Sequence, residues 1–162
     1  MKALGIAIML TSLLISASCT RRPTAPEPVI LAPPLLWTQD FPLEELAQQS
    51  VVQGECGLAL WTRAQPAKRI FFASNGRGFG LINFQGDEVA LDARHERVNL
   101  VRGFSEQQLY VGDNVTIALE LDIETRQDVL SNAVIRSGVF TLTQASTRKS
   151  LVVPVVGVIG CS

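Results

Sequence analysis

Apolar and polar residues alternate with a period of two along most of the chain after Val51. The clearest case is Ala118 to Glu124, where Leu119, Leu121 and Ile123 alternate with acidic residues, so this strand is predicted to have one buried and one wet face. The predicted strands are Gly57 to Arg63, Arg69 to Ser74, Phe79 to Phe84, Glu88 to Arg94, Val98 to Arg102, Gln108 to Val111, Val115 to Glu124, Ala133 to Thr143 and Leu151 to Gly160. Short strands separated by turn sequences predict an all-β fold, an antiparallel β-sandwich or a partly open barrel of about seven to nine strands.

One short amphipathic helix is predicted ahead of the strands, from Trp37 to Ser50. Pro42 suits the first turn of a helix, and Glu44 suits the positive end of its dipole. Leu43 and Leu46 fall on one side, which predicts a buried face.

The last predicted strand is apolar at consecutive positions, which a sheet with one wet face does not need. The second face can be covered by the chain itself, through the predicted helix or through Val29 to Leu36, or by another protein. Val153 and Val155 are the candidate contacts for such a partner. Pro154 lacks a backbone donor and predicts a bulge or a sheet edge.

The amino terminus carries the pattern of an export signal. Lys2 supplies a positive start, Ala3 to Ile15 form a short apolar run, and three small residues precede Cys19. This layout resembles the signal of bacterial lipoproteins, with Ser16 standing where that motif usually has leucine. The resemblance covers the first nineteen residues and implies cleavage before Cys19, acyl chains (palmitate among them) on that cysteine, and attachment to a membrane. The alternative is an ordinary secretory signal, which would release a soluble periplasmic protein.

Proline separates the signal from the rest of the chain. Five of the eight prolines fall between Pro23 and Pro34, where they favour an extended chain without sheet pairing. We therefore expect a signal peptide over residues 1–18, an acylated cysteine and proline-rich tether over residues 19–36, and a single domain over residues 37–162. By the same resemblance, Thr20 in place of an aspartate after the modified cysteine implies the periplasmic face of the outer membrane.

Composition argues against a nucleic-acid partner. The chain has a formal net charge of −1, with 47% apolar and 18% charged residues, and its arginines are scattered. Phosphate recognition needs a clustered basic surface.

Cys56 and Cys161 are predicted to form a disulfide bond. An exported chain passes through oxidising compartments, and with Cys19 lipidated these are the two cysteines that remain. Each has a glycine neighbour, Gly57 and Gly160, which permits close backbone approach. The bond would make the first and last strands neighbours.

The sequence offers few candidate catalytic or ligand-binding residues. Asn75 to Gly80 is rich in glycine but lies between two predicted strands, so we interpret it as a hairpin tip that presents Arg77 and Phe79 to a partner, and not as a phosphate loop. His95 is the single histidine and is interpreted as a solvated loop residue. No nucleophile, metal ligand set or cofactor motif is recognised.

Three acidic residues, Glu120, Asp122 and Glu124, share the wet face of one strand. They could hold a cation or serve a glycoside hydrolase, but solubility alone accounts for them.

These observations favour a lipid-anchored envelope domain that binds or assembles with another envelope protein and is not an enzyme. The alternatives are a periplasmic carrier of a small apolar ligand or glycan, supported if a cavity lies behind Trp61, Phe71 and Phe84, or an inhibitor of an envelope hydrolase.

Overall fold

The structure is a computed structural model that describes residues 43–94, 100–125 and 132–162. The proposed signal, Cys19, the tether and His95 lie outside these residues. The described elements are β1 (Leu43–Glu44), β2 (Cys56–Thr62), β3 (Arg69–Ser74), β4 (Phe79–Phe84), β5 (Asp87–Ala93), β6 (Gln107–Val111), β7 (Val115–Thr125), β8 (Asn132–Gln144) and β9 (Ser150–Cys161). None of the described residues forms a helix long and apolar enough to cross a membrane.

The antiparallel all-β prediction is confirmed, but the sandwich is wrong. Strands β2 to β9 pair in sequence order, and β9 pairs back to β2, so eight strands close into a barrel. The closing seam is continuous, with seven register pairs from Cys56↔Cys161 to Thr62↔Val155. The pairing of β9 with β2 satisfies the backbone edge groups of these two strands, which two separate sheets would have left exposed.

The disulfide between Cys56 and Cys161 is confirmed. It joins directly opposed residues of β2 and β9, whose Cα atoms are 4.0 Å apart. The first and last barrel strands are therefore neighbours, as predicted.

The barrel interior is filled by the inward side chains of the alternating strands. Phe71 is fully buried at its centre and meets Tyr110 and Phe140 edge to face, with ring centroids 5.0 and 6.2 Å away. Gly80 makes room for this cluster, because a Cβ atom there would lie 2.7 Å from the Phe71 ring. The core is an aromatic centre ringed by Leu, Ile and Val.

The predicted helix is wrong over its described part, residues 43–50. Leu43 and Glu44 form β1 and pair with Phe84 and Asn83 of β4, and residues 45–50 form no regular secondary structure. Strand β4 pairs with β3 only from Phe79 to Leu81, and β1 takes up the edge that β4 leaves free beyond that point. The backbone hydrogen bonds of a sheet edge thus outweigh a weak helical preference.

The predicted strand Val98 to Arg102 is also not formed where it is described. Val101 makes an isolated bridge to Phe104 across Arg102 and Gly103, whose φ angles of 54° and 90° fit a tight two-residue turn. Phe104 is buried at the end of the barrel. A turn that inserts one aromatic side chain into the core produces the same apolar signal as a short strand.

Candidate functional site

The hairpin tip between β3 and β4 carries Arg77 and Phe79, as predicted. The Arg77 guanidinium lies 5.9 Å from the centroid of the Phe79 ring, with Arg77 exposed and Phe79 half-buried. A cation over an aromatic face is a favourable contact within the chain. The two side chains are therefore already partnered with each other.

Val153 and Val155 do not lie on a surface, and this corrects their assignment as contact residues. They are 9% and 0% exposed and point into the barrel. The alternation of β9 places their neighbours outside instead: Val152 is 52% and Val158 44% exposed, and Pro154 lies between them. The sequence showed that both faces of this strand are apolar, but it did not show which face is the core.

The outward residues of β9, together with Val139 of β8, form an apolar strip. We call the exposed set Val139, Val152, Pro154 and Val158 the outer valine face. Val139 of β8 is 38% exposed and pairs directly with Pro154, and half-buried Val156 fills the space between Pro154 and Val158 along β9. From Val152 to Val158 the face is roughly 20 Å long, and it covers at most the width of two neighbouring strands, about 10 Å.

Pro154 occupies a position where its missing donor is harmless. Its carbonyl oxygen accepts a hydrogen bond from the Arg63 N–H at 3.1 Å, immediately after β2 ends at Thr62. The Pro154 nitrogen faces the same side, toward the end of β2. Because β2 ends at Thr62, the regular ladder needs no hydrogen bond from that nitrogen. The bulge of this region lies on β8 instead, between Ile135 and Gly138.

Trp61 borders the outer valine face and is covered on one side by Arg69. The guanidinium of Arg69 lies 6.0 Å from the indole centroid, and Trp61 pairs with Val156 of β9. Trp61 is therefore on the outer wall, Phe71 is in the core, and Phe84 lies near one end of the barrel. The three residues proposed to back a ligand cavity do not share one.

The three carboxylates of β7 remain on its outer side. Glu124 forms an ion pair with Arg136, which the β8 bulge displaces outward. Within the residues that the structure describes, no group of three or more acidic, histidine or cysteine side chains is arranged to hold a metal ion.

A cleft of about 460 Å³ lies between β5 and the β6–β7 turn, and sequence reasoning missed it. Its walls combine apolar side chains, such as Phe84, Val89 and Val115, with Asp87 and Asp113. The cleft exists because β6 turns back at Gly112 while β5 continues alongside. The sequence indicates the turn at Gly112. The different lengths of β5 and β6 produce a cleft only because these two strands are neighbours in the barrel.

Comparison of this chain with protein families, with curated protein sequences and with solved structures finds no match to any of them.

Proposed function

We propose that this protein is a lipid-anchored module of the bacterial envelope that binds another envelope protein through its outer valine face and has no catalytic role. Acyl chains on Cys19 would hold it at the periplasmic face of the outer membrane. The proline-rich tether, residues 19–36, would set the distance that the barrel can reach from the lipid.

The exposure of the outer valine face is the observation that carries this proposal. A strand in the wall of a closed barrel needs apolar residues only on its inner side, yet β9 also presents Val152, Pro154 and Val158 to the outside. Contiguous apolar surface of this kind marks contact sites more often than scattered single residues do. An area of roughly 200 Å² would form the apolar centre of a contact whose polar rim extends over the neighbouring residues, because even small interfaces bury several hundred Å² on each partner.

The shape of the face favours a protein over a small ligand. The face belongs to a convex wall, and small-molecule sites are concave. We therefore expect a partner that presents an apolar surface of similar size.

The anchor is tested by intact mass spectrometry of protein extracted from membranes, with Cys19→Ala as the comparison. We expect a chain that begins at Cys19 and carries acyl groups, and we expect the variant to move to the soluble fraction. Wild-type protein that is soluble and free of lipid would contradict the anchor and leave a secreted binding protein.

The contact surface is tested by placing a photo-crosslinking amino acid at position 152 in cells. We expect one discrete product with another protein, lost when Val158→Asp is added, because a buried charge disrupts an apolar interface. The matched control is the same crosslinker at Ala118, an exposed outward residue of β7. A crosslinked product from position 77 but not from position 152 would mean that the partner contacts the hairpin tip and not the outer valine face.

A further inference from the structure

The pairing between β5 and β6 stops early and leaves a gap in the barrel wall. These strands share only the register pairs Asp92↔Val111 and Ala93↔Tyr110, whereas β5 pairs with β4 over six. The next rung would place Ala90 opposite Asp113, but there the chain is already in the turn to β7. The barrel is closed near Ala93 and open toward Asp87.

Glu88 and Ala90 of β5 direct their backbone groups into this gap, as the hydrogen bonds of the following residues show. The Ala93 N–H donates to the Gly78 oxygen on the β4 side at 2.9 Å, and the Arg94 N–H donates to the Leu109 oxygen of β6 at 2.8 Å. Because backbone groups alternate sides along a strand, Ala90 and Glu88 face the same way as Arg94. Within the described part of the chain they have no ladder partner on that side. Two N–H and two C=O groups thus form a short open edge, a known template for strand pairing.

The gap opens into the cleft of about 460 Å³, whose walls have two characters. Phe84, Val89 and Val115 supply apolar surface that is continuous with the core. Asp87 and Asp113 are exposed at the rim, and the third rim carboxylate, Asp92, lies 3.4 Å from Arg94. The rim therefore has an excess of negative charge.

We propose that this seam binds an extended peptide segment of another protein in which apolar and basic side chains alternate. The segment would add as a short strand beside β5 and pair with the backbones of Glu88 and Ala90. Alternation would direct its apolar side chains inward beside Val89 and its basic side chains outward, to the face of β5 that carries Glu88 and Asp92. The seam lies between β5 and β6, whereas the outer valine face lies on β8 and β9, so the two sites are independent.

The test uses the full chain extracted in detergent and a peptide with fluorescein on its amino terminus, fluorescein-Lys-Val-Lys-Val-Lys-amide, and measures fluorescence anisotropy. We expect saturable binding that weakens with salt, and at least about tenfold weaker binding of the Glu-Val-Glu-Val-Glu counterpart. Methylation of the central backbone nitrogens should abolish binding, because it blocks strand pairing without changing charge. Equal binding of the methylated peptide would overturn the proposal.

Ala90→Pro removes the donor that faces the seam and leaves the β4 ladder intact, because that N–H does not point toward β4. We expect at least about tenfold weaker peptide binding, while the control Ala90→Val changes it by less than about twofold. Should the proline variant not fold, Glu88→Gln with Asp92→Asn provides a second test, with at least about fivefold weaker binding of the basic peptide expected. Unchanged affinity in a folded variant of either kind contradicts the site.

Hydrogen exchange distinguishes a foreign segment from the protein's own chain. We expect the Glu88 and Ala90 amides to exchange rapidly without peptide and slowly with it. Slow exchange of both amides in the free protein would mean that the seam is already filled, and would overturn the proposal.

Discussion

At the scale of single residues, a hydrogen-bonded polar cluster of Tyr110, Gln108 and Ser105 lies within the apolar core. The Tyr110 hydroxyl donates to Gln108 Oε1 at 2.6 Å, and Gln108 Nε2 donates to the Ser105 carbonyl oxygen at 2.8 Å. Tyr110 and Gln108 are 2% and 3% exposed, so water cannot replace these bonds. The cluster connects β6 to the segment that closes this end of the barrel.

Tyr110→Phe tests this cluster. Removal of the hydroxyl leaves Gln108 Oε1 buried without this donor, so we expect the free energy of unfolding to fall by about 1–2 kcal/mol. Urea denaturation measures the change, and Gln107→Ala, an exposed neighbour on β6, should stay within about 0.5 kcal/mol of wild type. A Tyr110→Phe variant as stable as its control would mean that Gln108 finds another donor.

At the scale of elements, β1 and the chain that follows it, residues 45–50, are held against the barrel. The Leu46 N–H donates to the Arg69 oxygen at 2.8 Å, and Arg69 Nε donates to the Leu46 oxygen at 3.2 Å. Leu43 and Leu46 are 4% and 1% exposed. Both leucines are buried, as the predicted helix also required, but neither lies on a helix.

Leu46→Ala is expected to lower the free energy of unfolding by about 2–4 kcal/mol, because it leaves a cavity under the segment. Leu100→Ala, at a leucine that is 41% exposed, is the matched control and should change little. In Leu46→Ala, hydrogen exchange should become faster at the amide of residue 46 than at the amides of β2, because the neighbouring β1 is the shortest strand. Similar losses in the two variants would contradict the structural role of the segment.

At the scale of the whole molecule, closure depends on the seam between β2 and β9. The disulfide joins residues 105 positions apart, so it ties almost the entire described chain into one loop. This loop restricts the unfolded chain far more than a local crosslink would.

The double variant Cys56→Ala with Cys161→Ala should therefore lose on the order of 4–5 kcal/mol of stability, by the loop-closure relation. Comparison of the urea midpoints of oxidised protein and variant measures it, and chemically reduced wild type should match the variant. Equal midpoints for all three would show that strand pairing alone maintains closure.

The sequence by itself determined the local structure of most strands. The bounds of Arg69–Ser74 and Phe79–Phe84 agree to the residue, and the other strands from β2 to β9 agree within one, because alternation and turn residues are local signals. The disulfide also followed from local facts, the number of cysteines and their positions at the ends of two strands.

Only the tertiary structure decided how these strands are arranged. A sandwich and a barrel have the same alternation, and the difference is a single long-range pairing of β9 with β2. Val152 and Val153 are both apolar, so the sequence does not distinguish them, and only the closed wall determines which one lies outside. The cleft depends on which strand lies beside β5 and where that neighbour ends, and contacts between residues distant in the chain decide both.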